Sequence, residues 1–556
     1  MASEHLIIAP ILIPFVTGAL MLLYDERQRK AKLGISLVSA AALLFVAVEL
    51  LNRSKGGPDS GGNEISFYLL GNWAVPFGII LVLDRLSAMM LVLTALLAIP
   101  ALLYAGGGWH RNGQHFHSLF QFLLMGVNGA FLTGDLFNLF VFFEVLLAAS
   151  YGLALHGSGQ LRVRAGLHYI AVNLTASLFF LVGVSLIYGV TGTLSMAHLA
   201  QMVVTLPETE RPFFHAGITI MGLAFLVKAG MWPLSFWLPT TYMAGAAPVA
   251  AMFTIMTKVG VYVVLRISML FFSADAGASA GFGAAVLTWG GMATVAFGLV
   301  GVLGSQGIGR VTGHLVLISS GTVLACVGLA LQGGGTALLS GALYYMLGST
   351  VATSALFLLI EPMGREEGGI ASMLALTADA YGLDTEEDEA EEAGLAIPGT
   401  ITVLGLSFGA CLLVLAGLPP LSGFIGKVAV LQGLMGGDLG GSVLGWTFLV
   451  LLLLSGFATL IGLVRIGVQT FWASEGAVPK VLALEIAPVI LLVGLLGLLT
   501  LRAHDVLRYT DVTSEALHEP GIYSDGVFSA PRVRSLPAPA PASPAPATEG
   551  TEEEAQ

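Results

Sequence analysis

Charge is scarce in this sequence. Only 23 basic and 35 acidic side chains occur among 556 residues, whereas a soluble domain carries about a quarter charged residues. Thiols are scarcer still: Cys326 and Cys411 stand singly in apolar runs, which excludes a disulfide framework or a thiolate metal knot and leaves both as packing residues. No basic stripe or basic tail is present to neutralise phosphates, so nucleic-acid binding is excluded. A Gly-rich phosphate cradle, a pair of catalytic carboxylates and a haem-type histidine ladder are all missing. Catalysis therefore has no visible site, and no cofactor and no metal are expected.

What fills the chain instead is apolar surface: 56% of the residues are hydrophobic, and the mean hydropathy is +0.86. Uninterrupted apolar runs of about 18 or more residues read as membrane spans. The net charge of −12 comes from two acidic patches, at 379–392 and 549–554, without which the charges balance. The first run, Leu6 to Tyr24, is followed by the charged turn Asp25-Glu-Arg-Gln-Arg-Lys rather than a small-residue cleavage site, and is read as a first helix.

Runs delimited by Gly, Pro and charge give fourteen spans, beginning near Leu6, Leu33, Gly78, Ser118, Leu136, Val163, Phe213, Pro248, Phe282, Arg310, Thr336, Thr400, Ser442 and Val481. Each is long enough for the roughly 30 Å hydrocarbon layer. Threading them back and forth puts Arg27, Arg29, Lys30, Lys32, Arg111, Arg162, Arg164, Arg310, Arg365 and Lys480 on one side, with Arg53, Lys55, Arg211 and Arg502 on the other. By the positive-inside rule the first side is cytoplasmic, and both termini are extracytoplasmic. Between spans lie a polar loop at Lys55 to Gly62, a short amphipathic stretch at Thr193 to Thr205 and an acidic loop at Asp384 to Glu392. That loop reads as a solvated face, because adjacent carboxylates without a turn-forming Gly make no calcium site.

One repeat is visible. Ala229-Gly-Met-Trp-Pro-Leu-Ser in the seventh span matches Ala416-Gly-Leu-Pro-Pro-Leu-Ser in the twelfth at five of seven positions, 187 residues apart. Five spans separate the copies, an odd number, so they run in opposite directions through the bilayer, the pattern of an inverted repeat built around broken helices. Pro233 and Pro420, with Pro419 beside it, would each clash with a carbonyl four residues earlier and break the hydrogen-bond ladder.

The expected fold is thus an all-α polytopic membrane protein of about fourteen transmembrane helices with two inverted five-helix repeats. Residues 1–110 hold helices 1–3, 111–275 the first repeat (helices 4–8), and 276–475 the second repeat (helices 9–13) with an acidic cytoplasmic loop at 362–398. Helix 14 occupies 476–503, and the Pro/Ala-rich extramembrane tail 504–556 is expected to be disordered.

An ionisable group at the bilayer centre costs at least about 2.5 kcal/mol, so those that persist are functional candidates. Glu144 lies nine residues into its span, roughly 13 Å deep at the helical rise. Lys228 immediately precedes the seventh-span break, Lys258 sits near the middle of the eighth span, and Lys427 follows Pro420 in the twelfth. Desolvation disfavours the charged form of either type, whereas a Glu–Lys pair restores both charges. A proton arriving at Lys258 would couple to the making or breaking of a Glu144–Lys228 pair. The alternative is a static salt bridge that only fixes helix packing. His314 is a further relay candidate by its near-neutral reference pKa, with a packing role as the alternative. His168 reads as structural and Asp84 and Arg85 as anchors, while Asp135 is expected to cap the fifth span and Arg266 to snorkel to the outer surface.

Three segments carry a family resemblance: Asp135-Leu-Phe-Asn-Leu-Phe-Val-Phe-Phe-Glu-Val-Leu-Leu-Ala-Ala-Ser-Tyr-Gly-Leu153, Tyr188-Gly-Val-Thr-Gly-Thr-Leu-Ser-Met-Ala197 and Thr257-Lys-Val-Gly-Val-Tyr262. They resemble the antiporter-like membrane subunits of respiratory complex I. Together with Gly417-Leu-Pro-Pro-Leu-Ser-Gly-Phe-Ile-Gly-Lys427 and the acidic loop, they are similar to the D-type subunits of the Mrp (Pha) multisubunit cation/proton antiporters, over roughly residues 6 to 500. The resemblance implies a proton-translocating subunit of a prokaryotic plasma-membrane antiporter for Na+ or another monovalent cation. It implies Glu144 and Lys228 as a functional pair, Lys258 as the central lysine and Lys427 as the terminal one. Its implied partners are the lipid bilayer, a larger homologous antiporter-like subunit and small hydrophobic subunits. Related sequences often carry a histidine in the eleventh helix, where this chain reads Tyr344-Tyr-Met-Leu-Gly348-Ser-Thr350. The link from Lys258 to Lys427 is then expected to use His314, Ser319, Thr350 or water. Two other readings compete, a proton-pumping subunit of a redox complex and a helical scaffold with structural charges.

Overall fold

The computed structural model describes residues 4–25, 27–56, 64–73, 75–364, 398–471 and 481–529. The acidic patch at 379–392, most of the 55–62 loop and the Pro/Ala-rich segment beyond 529 lie outside these. The helices are α1 (Ala9–Leu22), α2 (Arg29–Ser54), α3 (Arg85–Gly106), α4 (Phe116–Leu132), α5 (Leu136–Ala154), α6 (Gln160–Thr191), α7 (Met196–Thr205), α8 (Arg211–Ala229), α9 (Leu238–Ala244) and α10 (Ala247–Phe272). They continue as α11 (Ala284–Gly304), α12 (Ile308–Leu329), α13 (Gly335–Gly364), α14 (Pro398–Ala416), α15 (Ser422–Gly436), α16 (Val443–Phe471), α17 (Ala483–Leu501), α18 (Ala503–His518) and α19 (Pro520–Phe528). Each of the fourteen apolar runs contains an α-helix. Among the described residues ten segments are long and apolar enough to cross a membrane, with Ile308–Gly364 counted as one.

The third run starts differently from expectation. Ile80–Leu83 is a strand, β2, paired antiparallel with β1 (Ser66–Leu69) in the register Ser66 to Leu83 and Leu69 to Ile80. The β-branched, leucine-rich stretch before Asp84 suits a pleated ribbon. The helix begins only at Arg85, where Asp84 and Ser87 close a reciprocal capping box.

The broken spans end in the same way. Gly230 (φ 73°) and Gly417 (φ 77°) occupy the left-handed position just past α8 and α14. Gly417 donates to the carbonyls of Leu413 and Val414, and Leu418 to that of Leu413; Gly230 and Met231 make the equivalent bonds to Leu226 and Val227. Glycine alone adopts this conformation without strain, and the bonds satisfy carbonyls that a helix end leaves open. The break is therefore made by glycine three residues ahead of Pro233 and Pro420, so the anticipated proline clash never arises. Neighbouring side chains take up further groups of the opened backbone. Trp232 N–H donates to Thr294 Oγ1 at 2.8 Å and Ser422 N–H to Thr500 Oγ1 at 2.9 Å. Trp237 Nε1 donates back to the Val227 carbonyl at 3.2 Å.

α10 runs through the centre, with all of its residues buried, against α3, α8, α12 and α13. Charge holds it at both ends. At the first, the Glu361 carboxylate accepts from Ala247 N–H (3.2 Å), Trp109 Nε1 (2.6 Å) and Tyr104 OH (3.2 Å), which suits the positive end of a helix. At the other, Arg266 does not snorkel outward. It is 6% exposed and forks onto Asp84, with Nη1 to Oδ2 at 2.6 Å and Nη2 to Oδ1 at 2.8 Å. The α3 cap puts a carboxylate within reach, and a bidentate bond outweighs a longer route to water.

The expectation of a disordered tail from 504 is corrected for its first part. α18 buries Thr510, Thr513, Ser514 and Leu517. Ser514 Oγ donates to the Thr336 carbonyl (2.7 Å), and Ser340 Oγ to Asp511 Oδ1 (2.6 Å), so hydroxyls zip this helix onto α13.

The Arg266–Asp84 pair gives a direct prediction. Removing one partner of a buried pair costs about 3–5 kcal/mol, because the other charge is left uncompensated. Asp84→Asn should therefore lower the denaturation temperature of the purified protein by several degrees, and Asp84→Leu with Arg266→Leu should recover most of that loss. Thermal scans of both variants check this, and a single variant as stable as wild type would contradict it.

Candidate functional site

Four ionisable groups stand out inside the spans, and the structure gives each an uncharged polar partner. Glu144, half-buried on α5, accepts a hydrogen bond from the Ser177 hydroxyl of α6. Lys228 is fully buried in the last turn of α8. Its Nζ donates to Tyr169 OH of α6 at 3.1 Å, and that hydroxyl contacts Ser150 Oγ of α5 at 2.7 Å. The ammonium also lies 5.2 Å from the Tyr169 ring centroid and 6.0 Å from that of Trp237, within cation–π reach.

Glu144 and Lys228 are thus not a direct ion pair. Each uses α6 instead, at Ser177 and Tyr169, eight residues or about 12 Å apart along that helix. The expected pairing is corrected to two separate hydroxyl contacts on one shared helix.

Lys258, 1% exposed on α10, donates to Ser319 Oγ at 2.8 Å and Ser320 Oγ at 3.1 Å on α12. Ser319 Oγ in turn lies 2.7 Å from Ser349 Oγ of α13, and Ser349 donates to the Tyr345 carbonyl at 2.8 Å. The result is a polarised series from ammonium to hydroxyl to hydroxyl to carbonyl, crossing three helices. Hydroxyls both donate and accept, so the Ser319–Ser349 link can reverse its direction, while the Tyr345 carbonyl only accepts.

Its far end faces the second break. A Cβ at Gly426 would sit 3.0 Å from Tyr345 Cα, so glycine there lets α15 lie directly on α13 beside Lys427. Lys427 reaches back across the break, its Nζ donating to the Ala416 carbonyl at 2.9 Å and the Leu415 carbonyl at 3.4 Å. A cation on the last carbonyls of α14 complements the negative end of the helix. On the other side of Lys258, a Cβ at Gly260 would fall 2.7 Å from Ala229 N. α10 therefore presses against the last turn of α8, which carries Lys228.

His314 stands apart from this series. Its Nδ1 contacts the Arg310 carbonyl one turn earlier at 2.8 Å, and its ring lies 6.0 Å from that of Phe297. Ser319 is five residues away, about 8 Å along α12. Thr350 Oγ1 bonds only to the Met346 carbonyl of its own helix, so of the expected links Ser319 is in the series and Thr350 is not. Asp135 caps α5 through Asn138 N–H at 2.8 Å, as expected. Tyr169, Ser177, Ser320 and Ser349 do not stand out in the sequence. Hydroxyl residues abound in membrane helices and carry no signal until a neighbouring helix is placed. Ser349, adjoining Gly348, is the most accessible to reasoning. No cluster of three or more metal-ligating side chains occurs among the described residues.

With this geometry in place, the relatives are informative. A family model described as NADH:quinone oxidoreductase/Mrp antiporter, transmembrane, matches residues 133–462. A relative from Rhizobium meliloti, named as the probable D subunit of a K(+)/H(+) antiporter, is 53% identical over 541 residues, covering 96% of this chain and 99% of the relative. The D subunit of the Na(+)/H(+) antiporter of Alkalihalophilus pseudofirmus is 32% identical over 532 residues, covering 94% and 99%. A chain in the solved structure of the Mrp complex from Dietzia sp. is similar with a TM-score of 0.78 and 25% identity, over 95% of this chain and all of that one. The chain belongs to the NADH:quinone oxidoreductase/Mrp antiporter transmembrane family.

Proposed function

We propose that this chain is the D-type, proton-translocating subunit of a multisubunit antiporter that exchanges a monovalent cation for protons across a prokaryotic plasma membrane. It is a transporter subunit rather than an enzyme. The observation that carries the reading is the Lys258–Ser319–Ser349 series, an ammonium buried on the central helix and hydrogen-bonded only to hydroxyls. A scaffold gains nothing from a lone ammonium at that depth, since an apolar residue would pack there without the desolvation cost. A proton route needs a group that can give up and regain a proton at that position.

In the proposed route Glu144 and Lys228 form one station, joined through α6 by Ser177, Tyr169 and Ser150. Lys258 is the central station, Ser319 and Ser349 carry the proton to α13, and Lys427 at the second break is the terminal station. Water completes the step from Ser349 to Lys427, and His314 serves as a peripheral proton acceptor at the start of α12. The matching glycine-capped breaks support a repeat of two five-helix units; the fourteen apolar runs and the distribution of Lys and Arg are the basis for proposing fourteen crossings with both termini extracytoplasmic. The assembly would include a larger homologous antiporter-like subunit and small hydrophobic subunits. The relatives' names divide between potassium and sodium, so both cations belong in the assay.

Everted vesicles from cells lacking other antiporters, carrying the assembled complex and a pH-sensitive dye, test this reading. Arginine keeps the positive charge but is effectively never deprotonated. Lys258→Arg should therefore assemble yet show severely impaired proton release on addition of sodium or potassium, with Lys427→Arg affected in the same way but more mildly. Normal exchange in both would make these lysines fixed charges.

The serine bridge is tested separately. Losing a hydrogen bond to a charged group costs about 1.5–3 kcal/mol, so Ser319→Ala should slow exchange roughly tenfold or more. Ser349→Ala should show a comparable loss, and Ser319→Thr, which retains the hydroxyl, should recover most of the rate. Undiminished exchange in Ser319→Ala and Ser349→Ala would remove the bridge from the route.

A further inference from the structure

Away from the buried lysines, a cavity of about 1000 Å³ opens between α2, α3, α13, α17 and α18. Its two ends differ in chemistry. The shaft is apolar, lined by Met89, Leu93 and Leu96 of α3, Leu347 and Val351 of α13 and Leu499 of α17. Among the described residues its mouth carries the cations Lys55, Arg85, Arg502 and Arg508 and one carboxylate, Asp505. Arg502 and Asp505 pair at 3.1 Å while both remain largely exposed, and Lys55 and Arg508 add positive charge at the opening.

This arrangement is unusual for the side on which it sits. The charge distribution along the sequence marks the Arg53, Lys55 and Arg502 side as the one poor in Lys and Arg. Three cations of that side, Lys55, Arg502 and Arg508, meet at this mouth. Arg85 is held in place from behind, its guanidinium 4.7 Å from the Tyr509 ring centroid and its Nη2 3.3 Å from the Lys55 carbonyl. Tyr509 OH in turn donates to the Arg85 carbonyl at 2.8 Å, so α18 folds over the opening and fixes its basic rim.

We propose that this cavity binds an anionic glycerophospholipid, with the phosphodiester at the Arg85–Arg502–Arg508 rim and an acyl chain along α3. Guanidinium groups match phosphate oxygens in geometry as well as charge. From Arg85 to Leu96 the helical rise gives roughly 16 Å of apolar wall, a depth suited to an acyl chain rather than to a small anion. A helix from another subunit would need no basic rim. The bound chain would also cover Leu347 and Val351, which flank the turn of α13 carrying Ser349. The lipid thereby seals the lateral side of the helix that the serine bridge uses.

The test uses the intact purified complex, stripped of loosely bound lipid by detergent washing. It is then incubated with dioleoylphosphatidylglycerol or with dioleoylphosphatidylcholine, and retained lipid is counted by native mass spectrometry. Wild type should keep phosphatidylglycerol in preference to phosphatidylcholine. Arg502→Gln with Arg508→Gln should lose roughly tenfold or more of the phosphatidylglycerol occupancy, given the attraction each cation exerts on an anionic lipid. Leu347→Trp, which fills the shaft and leaves the rim untouched, should lower retention of both lipids. Equal retention of the two lipids by wild type would overturn the proposal, as would unchanged phosphatidylglycerol occupancy in the Arg502→Gln, Arg508→Gln complex. A density map of the wild-type complex gives an independent reading, in which lipid density in the shaft supports the assignment and a neighbouring subunit's helix there refutes it.

Discussion

Within the hydrocarbon layer a polar group has no water to turn to, so every opened backbone amide and every ammonium must find its partner inside the protein. Most of the architecture follows from that constraint. Two helices are broken, and each break is closed by a glycine cap and by threonine hydroxyls from a neighbouring helix, Thr294 at the first and Thr500 at the second. The lysines obey the same rule with different partners. Lys427 takes the carbonyls that its own break exposes, Lys228 takes a tyrosine, and Lys258 takes two serines.

Partner choice decides what each lysine can do. An ammonium locked to a carboxylate has little reason to release its proton, and the one buried fork of that kind among the described residues, Arg266 with Asp84, uses the side chain least able to do so. It serves as an anchor. Together with Glu361 at the other end it fixes α10, so that Lys258 meets α12 at a defined height. The lysines are instead held by neutral acceptors, which stabilise the ammonium without a fixed counter-charge. Rigid ends and a neutral middle are what a helix needs if it is to carry a proton without moving far.

The membrane class, the apolar runs and the two matching breaks were legible because each rests on composition or on spacing along one chain. So were Glu144, Lys228, Lys258 and Lys427, since a charged residue in an apolar run stands out unaided. What escaped depended on a second chain segment. The Ile80–Leu83 strand looks like the start of a helix until Ser66–Leu69 is placed beside it. Arg266 looks like a surface residue until the α3 cap brings Asp84 to it. A direct Glu144–Lys228 contact was the simplest way to neutralise both charges, but α6 instead offers Ser177 to one and Tyr169 to the other. The α18 helix was hidden by polarity, though its buried Thr510, Thr513, Ser514 and Leu517 recur at helical spacing.

In the proposed route Lys258 changes its protonation state in the working protein. Nitrogen-15 NMR of lysine side chains in the assembled, membrane-reconstituted complex reads this directly, with the Lys258 signal assigned by its absence from the Lys258→Arg protein. This signal should pass between ammonium and neutral amine forms as pH is varied across the range in which exchange occurs. An ammonium signal unchanged throughout that range would contradict it.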